Sequence, residues 1–137
     1  LDELYSIELT CFGIEAFTEQ QLAYLLAEHN SIGLTARADE KIVGFIIAAI
    51  HAERNSLAGH ILTLDVIPHC RRTGIGSALM KALEDILRKQ KVATAYLEVR
   101  EDNSPALHLY EKMGYRKIGA LRNYYENANG IYLSKKL

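Results

Sequence analysis

Arg71-Arg72-Thr73-Gly74-Ile75-Gly76 stands between an apolar run over residues 61–66 and a helical pattern over residues 77–87. It is a glycine-bearing turn that leads a strand into a helix, and a helix start carries unpartnered backbone N–H groups and the positive end of the helix dipole. Phosphate is attracted to such a place. Glycine at 74 and 76 clears side chains from the main chain and permits backbone angles that aim successive N–H groups at one anion, and two arginines add charge. Alone, a Gly-x-Gly turn serves a plain bend as readily as an anion site.

The flanks extend the pattern in both directions. Downstream, Ile75, Ala78, Leu79, Ala82, Leu83, Ile86 and Leu87 fall on one face of a helix predicted over residues 74–91. Residues 92–99 follow as a strand. Asn103-Ser104-Pro105 starts a second helix, with a short polar cap and a proline suited to the first turn, and Met113-Gly114 ends it. Residues 115–125 and 131–137 read as strands around an Asn-rich loop. Upstream, residues 60–67 form a buried strand ended by Pro68, and residues 54–59 are polar and turn-like. Residues 32–38 and 42–52 are β-rich runs joined by Asp39-Glu40-Lys41. Thr18 with Gln21 makes a capping box that opens a helix to residue 28, residues 11–17 are a loop, and residues 2–10 are helical. The expectation is one mixed α/β domain over residues 1–137 with a single sheet.

Composition narrows the function classes. Hydrophobic residues make up 49% and charged residues 24% of the 137, and no apolar run approaches the roughly 20 residues of a membrane helix. A net charge of −1 argues against nucleic-acid binding by bulk electrostatics. Cys11 and Cys70 are the only cysteines, in no metal-ligand spacing, and read as reduced thiols of a cytoplasmic protein. Asp2 and Glu3 stand where a secretory leader would carry basic residues.

From His60 to Leu137 the chain resembles the GCN5-related N-acetyltransferase (GNAT) superfamily, and within it the RimI-like protein N-terminal acetyltransferases. The resemblance rests on the strand Leu62-Thr63-Leu64-Asp65-Val66, the Arg-x-x-Gly-x-Gly turn, Leu97-Glu98-Val99-Arg100 with Asn103, Leu109-Tyr110-Glu111-Lys112-Met113-Gly114-Tyr115, and Arg122-Asn123-Tyr124-Tyr125. It implies a mostly antiparallel sheet, splayed between the fourth and fifth family strands, with helices on both faces and the first family strand missing.

The same resemblance implies acetyl-CoA as cosubstrate and no metal. The pyrophosphate seat would be Arg71, Arg72, Thr73, Gly74, Ile75, Gly76 and Ser77, with the pantetheine arm along Leu64, Asp65 and Val66 and the Val66 amide polarising the thioester carbonyl. The Asp65 side chain faces either the amine or solvent, and solvent is the expectation. Glu98 takes the position of the general base and Tyr110 that of the acid that protonates the departing thiolate. Without the motif, Glu98 reads as a charge on the solvent face of a strand and Tyr110 as a core aromatic. Asn103 caps the second helix and also reaches the cofactor. Tyr124 and Tyr125 would line the peptide groove, with Phe17 and Glu15 in the loop over the first residue, Glu15 either pairing with its ammonium or assisting as a second base. His60 stands where some relatives place a tyrosine that helps the base.

The leading expectation is therefore direct acetyl transfer to the α-amine of a protein or peptide, a ribosomal protein among the candidate acceptors, by a monomer or weak homodimer. The alternatives are acetylation of a lysine side chain or small amine, or an acyl-CoA-binding sensor without chemistry.

Overall fold

Alternating strands and helical stripes sort the chain around the glycine turn as expected, and pairing corrects several boundaries. The computed structural model covers residues 1–137. Its elements are α1 (Asp2–Phe12), α2 (Glu19–Ala27), β1 (Ser31–Ala38), β2 (Lys41–Glu53), β3 (Ser56–Val66), α3 (Ile75–Lys89), β4 (Val92–Arg100), α4 (Ser104–Lys112), β5 (Arg116–Tyr125) and β6 (Ala128–Lys136), with 3₁₀ turns at Gly13–Glu15 and Pro68–Cys70. The capping box forms: the Gln21 N–H donates to Thr18 Oγ1 at 3.1 Å, and the Thr18 N–H donates to Gln21 Oε1 at 2.8 Å. No helix is long and apolar enough to cross a membrane.

The six strands lie in the order β1-β2-β3-β4-β6-β5. Only β3 and β4 run parallel, joined by the crossover through α3, and every other neighbouring pair is antiparallel. Alternation on β2 divides the core between the two faces. Ile46 and Ala48 join Leu79, Leu83, Leu87, Leu97 and Tyr110 beneath α3 and α4, while Phe45 and Ile47 join Leu4, Ile7 and Leu22 beneath α1 and α2. Helices thus cover both faces.

The functional feature of the sheet is a break between β3 and β4. Their pairing runs from Leu57↔Val92 to Ile61↔Leu97 and then stops, so the rest of β3 has no neighbour on that side. On the other side Ile47 faces Thr63 and Ala48 faces Ile61, which leaves Leu62 as an extra residue. Such a bulge bends and twists its strand away from its neighbour. The expected splay is therefore present.

Two expectations need correction. The turn assigned to residues 54–59 shrinks to Arg54-Asn55, because Ser56 to Gly59 pair with β2 on one side and Leu57 to Gly59 with β4 on the other. Gly59 breaks the strand pattern in sequence, yet a Cβ there would stand 3.0 Å from Leu87, so glycine lets α3 pack close. The Asn-rich loop is also shorter than expected. Tyr125 pairs with Ala128, which leaves a tight connection at Glu126-Asn127 and makes residues 128–130 strand.

Candidate active site

The glycine turn has the geometry its sequence suggested. Gly74 sits at φ 88°, α3 begins at Ile75, and Arg72 also takes a positive φ of 64°. The main-chain N–H groups of residues 72–77 donate to no acceptor in the protein, and the first to find one is that of Ala78, 2.9 Å from the Gly74 carbonyl. Six consecutive free donors at a helix start fit a diphosphate. Arg71 has a role the sequence did not reveal: its Nε donates to the Val66 carbonyl at 2.9 Å and pins the turn to the end of β3.

The open edge of β3 supplies a second row of polar groups. The Ile67 N–H donates to the Val43 carbonyl at 2.9 Å, which makes Val66↔Gly44 a non-hydrogen-bonded pair. The Val66 N–H therefore points to the open side, and alternation turns Leu64 the same way. This edge can accept an extended polar arm as an added strand.

Across the break stands Glu98. Its neighbours Leu97 and Val99 are buried on the α3 side, which turns Glu98 to the opposite face. That face is not bare solvent: the Glu98 side chain is only 16% exposed, and His60 Nε2 lies 2.8 Å from both carboxylate oxygens. Tyr132 is its cross-strand neighbour. Tyr124 and Tyr125 meet edge to face, their centroids 4.9 Å apart. Burial, and then the Glu98 charge, push the Tyr124 hydroxyl above the usual tyrosine range. Neither ring is a core residue; Tyr124 is 52% exposed.

Tyr110 enters from α4. It is buried, in an edge contact with Tyr115, and burial holds its proton well above the usual tyrosine range, helped by Tyr125 and Asp65. Asn103 caps that helix, with Oδ1 accepting from the Ala106 N–H at 3.3 Å.

Two sequence readings change. Glu15 does not stand free for an ammonium: its carboxylate pairs with Arg100, whose guanidinium also binds Asp102 at 2.9 and 3.0 Å and lies 5.7 Å from the centre of the Tyr125 ring. The pair fastens the Gly13–Glu15 turn to the end of β4. Asp65 does not face solvent. Its side chain lies on the same face as its cross-strand partner Phe45 and is fully buried, because α1 covers that face. Its Oδ1 is 2.5 Å from Thr63 Oγ1, which lies 3.0 Å from Glu8 Oε1 on its other side. Burial, with Glu8 close by, pushes the Asp65 carboxyl up to about 9.

Glu8 is the residue the sequence reading missed. It is buried, and its Oε2 accepts from the N–H of Phe17 at 3.1 Å. The signal was an acid within the apolar stripe Leu4, Ile7, Cys11 of α1. A surface hollow of about 530 Å³ over α2 shares only Phe17 with this site.

Residues 1–115 match the sequence model of the acetyltransferase (GNAT) family. The chain belongs to the GNAT family. An N-alpha-acetyltransferase of Sulfurisphaera tokodaii is 35% identical over 120 residues, which span 79% of this chain and 70% of that one. The ribosomal protein bS18-alanine N-acetyltransferase of Escherichia coli is 37% identical over 90 residues, 66% of this chain and 58% of the relative. The crystal structure of the ribosomal-protein-S18-alanine N-acetyltransferase from Escherichia coli superposes with a TM-score of 0.89 at 27% identity, over 98% of this chain and 86% of that one. Arabidopsis thaliana Naa50, in complex with the bisubstrate analogue CoA-Ac-MVNAL, gives 0.87 at 26% identity, over 99% and 91%. As a GNAT enzyme the protein is an acetyltransferase with acetyl-CoA as cosubstrate, and its free donors at residues 72–77 suit the pyrophosphate of that molecule.

Proposed function

We propose that the protein transfers the acetyl group of acetyl-CoA to the N-terminal α-amine of a protein or peptide. The observation that carries this reading is the break between β3 and β4, which leaves a free strand edge beside Glu98, Tyr124 and Tyr125 on one side and Tyr110 on the other. Relatives named for α-amine acetylation supply the acceptor class.

Acetyl-CoA supplies an activated acyl carbon, and the chain's own groups provide the rest. The donors of residues 72–77 seat the diphosphate, the open edge at Leu64 and Val66 aligns the arm, and the Val66 N–H polarises the reacting carbonyl. Glu98 takes the amine proton. An α-amine titrates near 7.7–8.0, so at neutral pH the base has only a modest deprotonation to assist. His60 holds the carboxylate in one orientation. Tyr110 keeps its proton across the physiological range, so its O–H is available to the departing sulfur, and solvent returns to the tyrosinate the proton it gives up. Tyr124, Tyr125 and Phe17 flank the first residue of the acceptor.

The test is a peptide bearing both a free α-amine and an internal lysine, incubated with acetyl-CoA and sequenced by mass spectrometry. Acetylation at the α-amine supports the proposal; acetylation confined to lysine refutes it.

A further inference from the structure

Two carboxyl groups that belong to none of these steps lie buried beside the site. Glu8, on α1, accepts from the Phe17 N–H through Oε2 and contacts Thr63 Oγ1 through Oε1. Asp65, two residues along β3 from Thr63, reaches the same hydroxyl at 2.5 Å. A threonine hydroxyl has one proton and cannot donate to both. If it donates to Glu8, it must accept from Asp65, which then carries an acid proton. The distribution of donors supports that assignment: Glu8 receives the Phe17 N–H, whereas Asp65 receives no N–H, and its Oδ2 is buried without a partner. Burying one carboxylate with its donors is tolerable, but burying two side by side is not.

We propose that Glu8 and Asp65 hold a single acid proton between them through Thr63, and that this buried acid pair is a positioning device fixing the Phe17 loop against β3 for the incoming peptide. The role rests on the α-amine acetyltransferase reading, in which Phe17 flanks the acceptor's first residue. The chain of contacts runs from the backbone of Phe17 to Glu8, to Thr63 and to Asp65, inside the stretch of β3 that lacks a β4 partner. When the shared proton leaves, two adjacent carboxylates repel in a dry space and Glu8 loses its hold on the loop. The charged and titratable groups around Asp65 are Glu8 and Cys11 from α1, Arg71 from the turn and Tyr110 from α4. Arg71 favours the ionised form, but its effect is smaller than those of burial and of Glu8.

The test has two arms. In the first, the full-length protein, labelled with ¹³C at side-chain carboxyls, is titrated by NMR without substrate. One carboxyl should titrate near pH 9, and that signal should vanish in Asp65→Asn and move to lower pH in Glu8→Gln. If every carboxyl titrates below pH 6, the shared proton does not exist and the proposal is overturned, whatever the enzyme acetylates. In the second arm, the KM for peptide should rise about 5- to 10-fold in Glu8→Ala, which removes the acceptor of the Phe17 N–H, while the KM for acetyl-CoA stays constant. The wild-type peptide KM should also climb between pH 8 and 10, and that of Asp65→Asn should not. A high-pH carboxyl with peptide KM indifferent to both changes would overturn the positioning role alone. A protein that acetylates no α-amine would show the first result and give no peptide KM, which separates this failure from that of the proposed function. If the Glu8 variants do not fold, the wild-type titration and the Asp65→Asn pH dependence still decide.

Discussion

Asp65 shows how much one covered face changes a residue. Burial, with Glu8 beside it, pushes its carboxyl from an ordinary 3.8 up to about 9. Below pH 4 both the folded and the unfolded chain hold the proton and the contribution to stability is complete. Between about 4 and 9 the unfolded chain releases a proton that the folded chain keeps, so stability falls as pH rises through that window. Asp65→Asn should flatten this slope and gain on the order of 1–3 kcal/mol relative to wild type between pH 5 and pH 8, as read from urea unfolding. Tyr110 makes a different kind of prediction. Removing the hydroxyl in Tyr110→Phe leaves the ring packing against Tyr115 and takes away only the proposed proton donor. The kcat should fall about 100-fold with the KM for peptide little changed, measured by steady-state kinetics. Alternation along β3 told correctly that Asp65 opposes Leu64 and Val66, but it could not tell that α1 covers that face. Burial of Asp65 depends on an element more than 50 positions away, since the Thr63–Glu8 contact beside it spans 55, and so the acid pair was illegible.

Elements were read more fully than contacts. The glycine turn, the Thr18–Gln21 capping box and the Asn103 cap are local, each set by side chains within a few residues of the backbone groups they serve, and all three form. Residues 56–59 failed because their strand character comes from two partners, β2 and β4, and not from their own composition. The Glu15–Arg100 pair was hidden for the same reason, since its members are 85 positions apart. The turn itself allows a clean test. A Cβ at Gly74 would meet nothing within 4 Å, so Gly74→Ala is penalised only through its φ of 88°. The cost to stability should be about 1–2 kcal/mol. Should the turn relax to relieve it, the N–H row loses its aim and CoA affinity falls roughly 10-fold, a loss of about 1.4 kcal/mol readable by calorimetry.

At the scale of the whole molecule, the break between β3 and β4 must be held open while the two halves of the sheet stay in register. Part of that fixing comes from Glu84 on α3. It is buried, accepts from the Tyr115 hydroxyl at 2.9 Å and pairs with Lys135 on β6 at 2.8 Å, so the crossover helix is fastened to the strands beyond the break. Glu84→Ala leaves a lysine and a tyrosine hydroxyl without their partner and should destabilise the fold by about 3–5 kcal/mol, visible as a lower melting temperature. The parallel crossover brings together residues that no local pattern links: His60 on β3 and Glu98 on β4, with Tyr124 of β5 beside that carboxylate. The most direct test is the single-turnover rate of acetyl transfer to a peptide with a free N-terminus, compared between wild type and Glu98→Gln. With Glu98 as the base in the break, the rate falls at least 100-fold while acetyl-CoA affinity is retained; equal rates in the two proteins would contradict it.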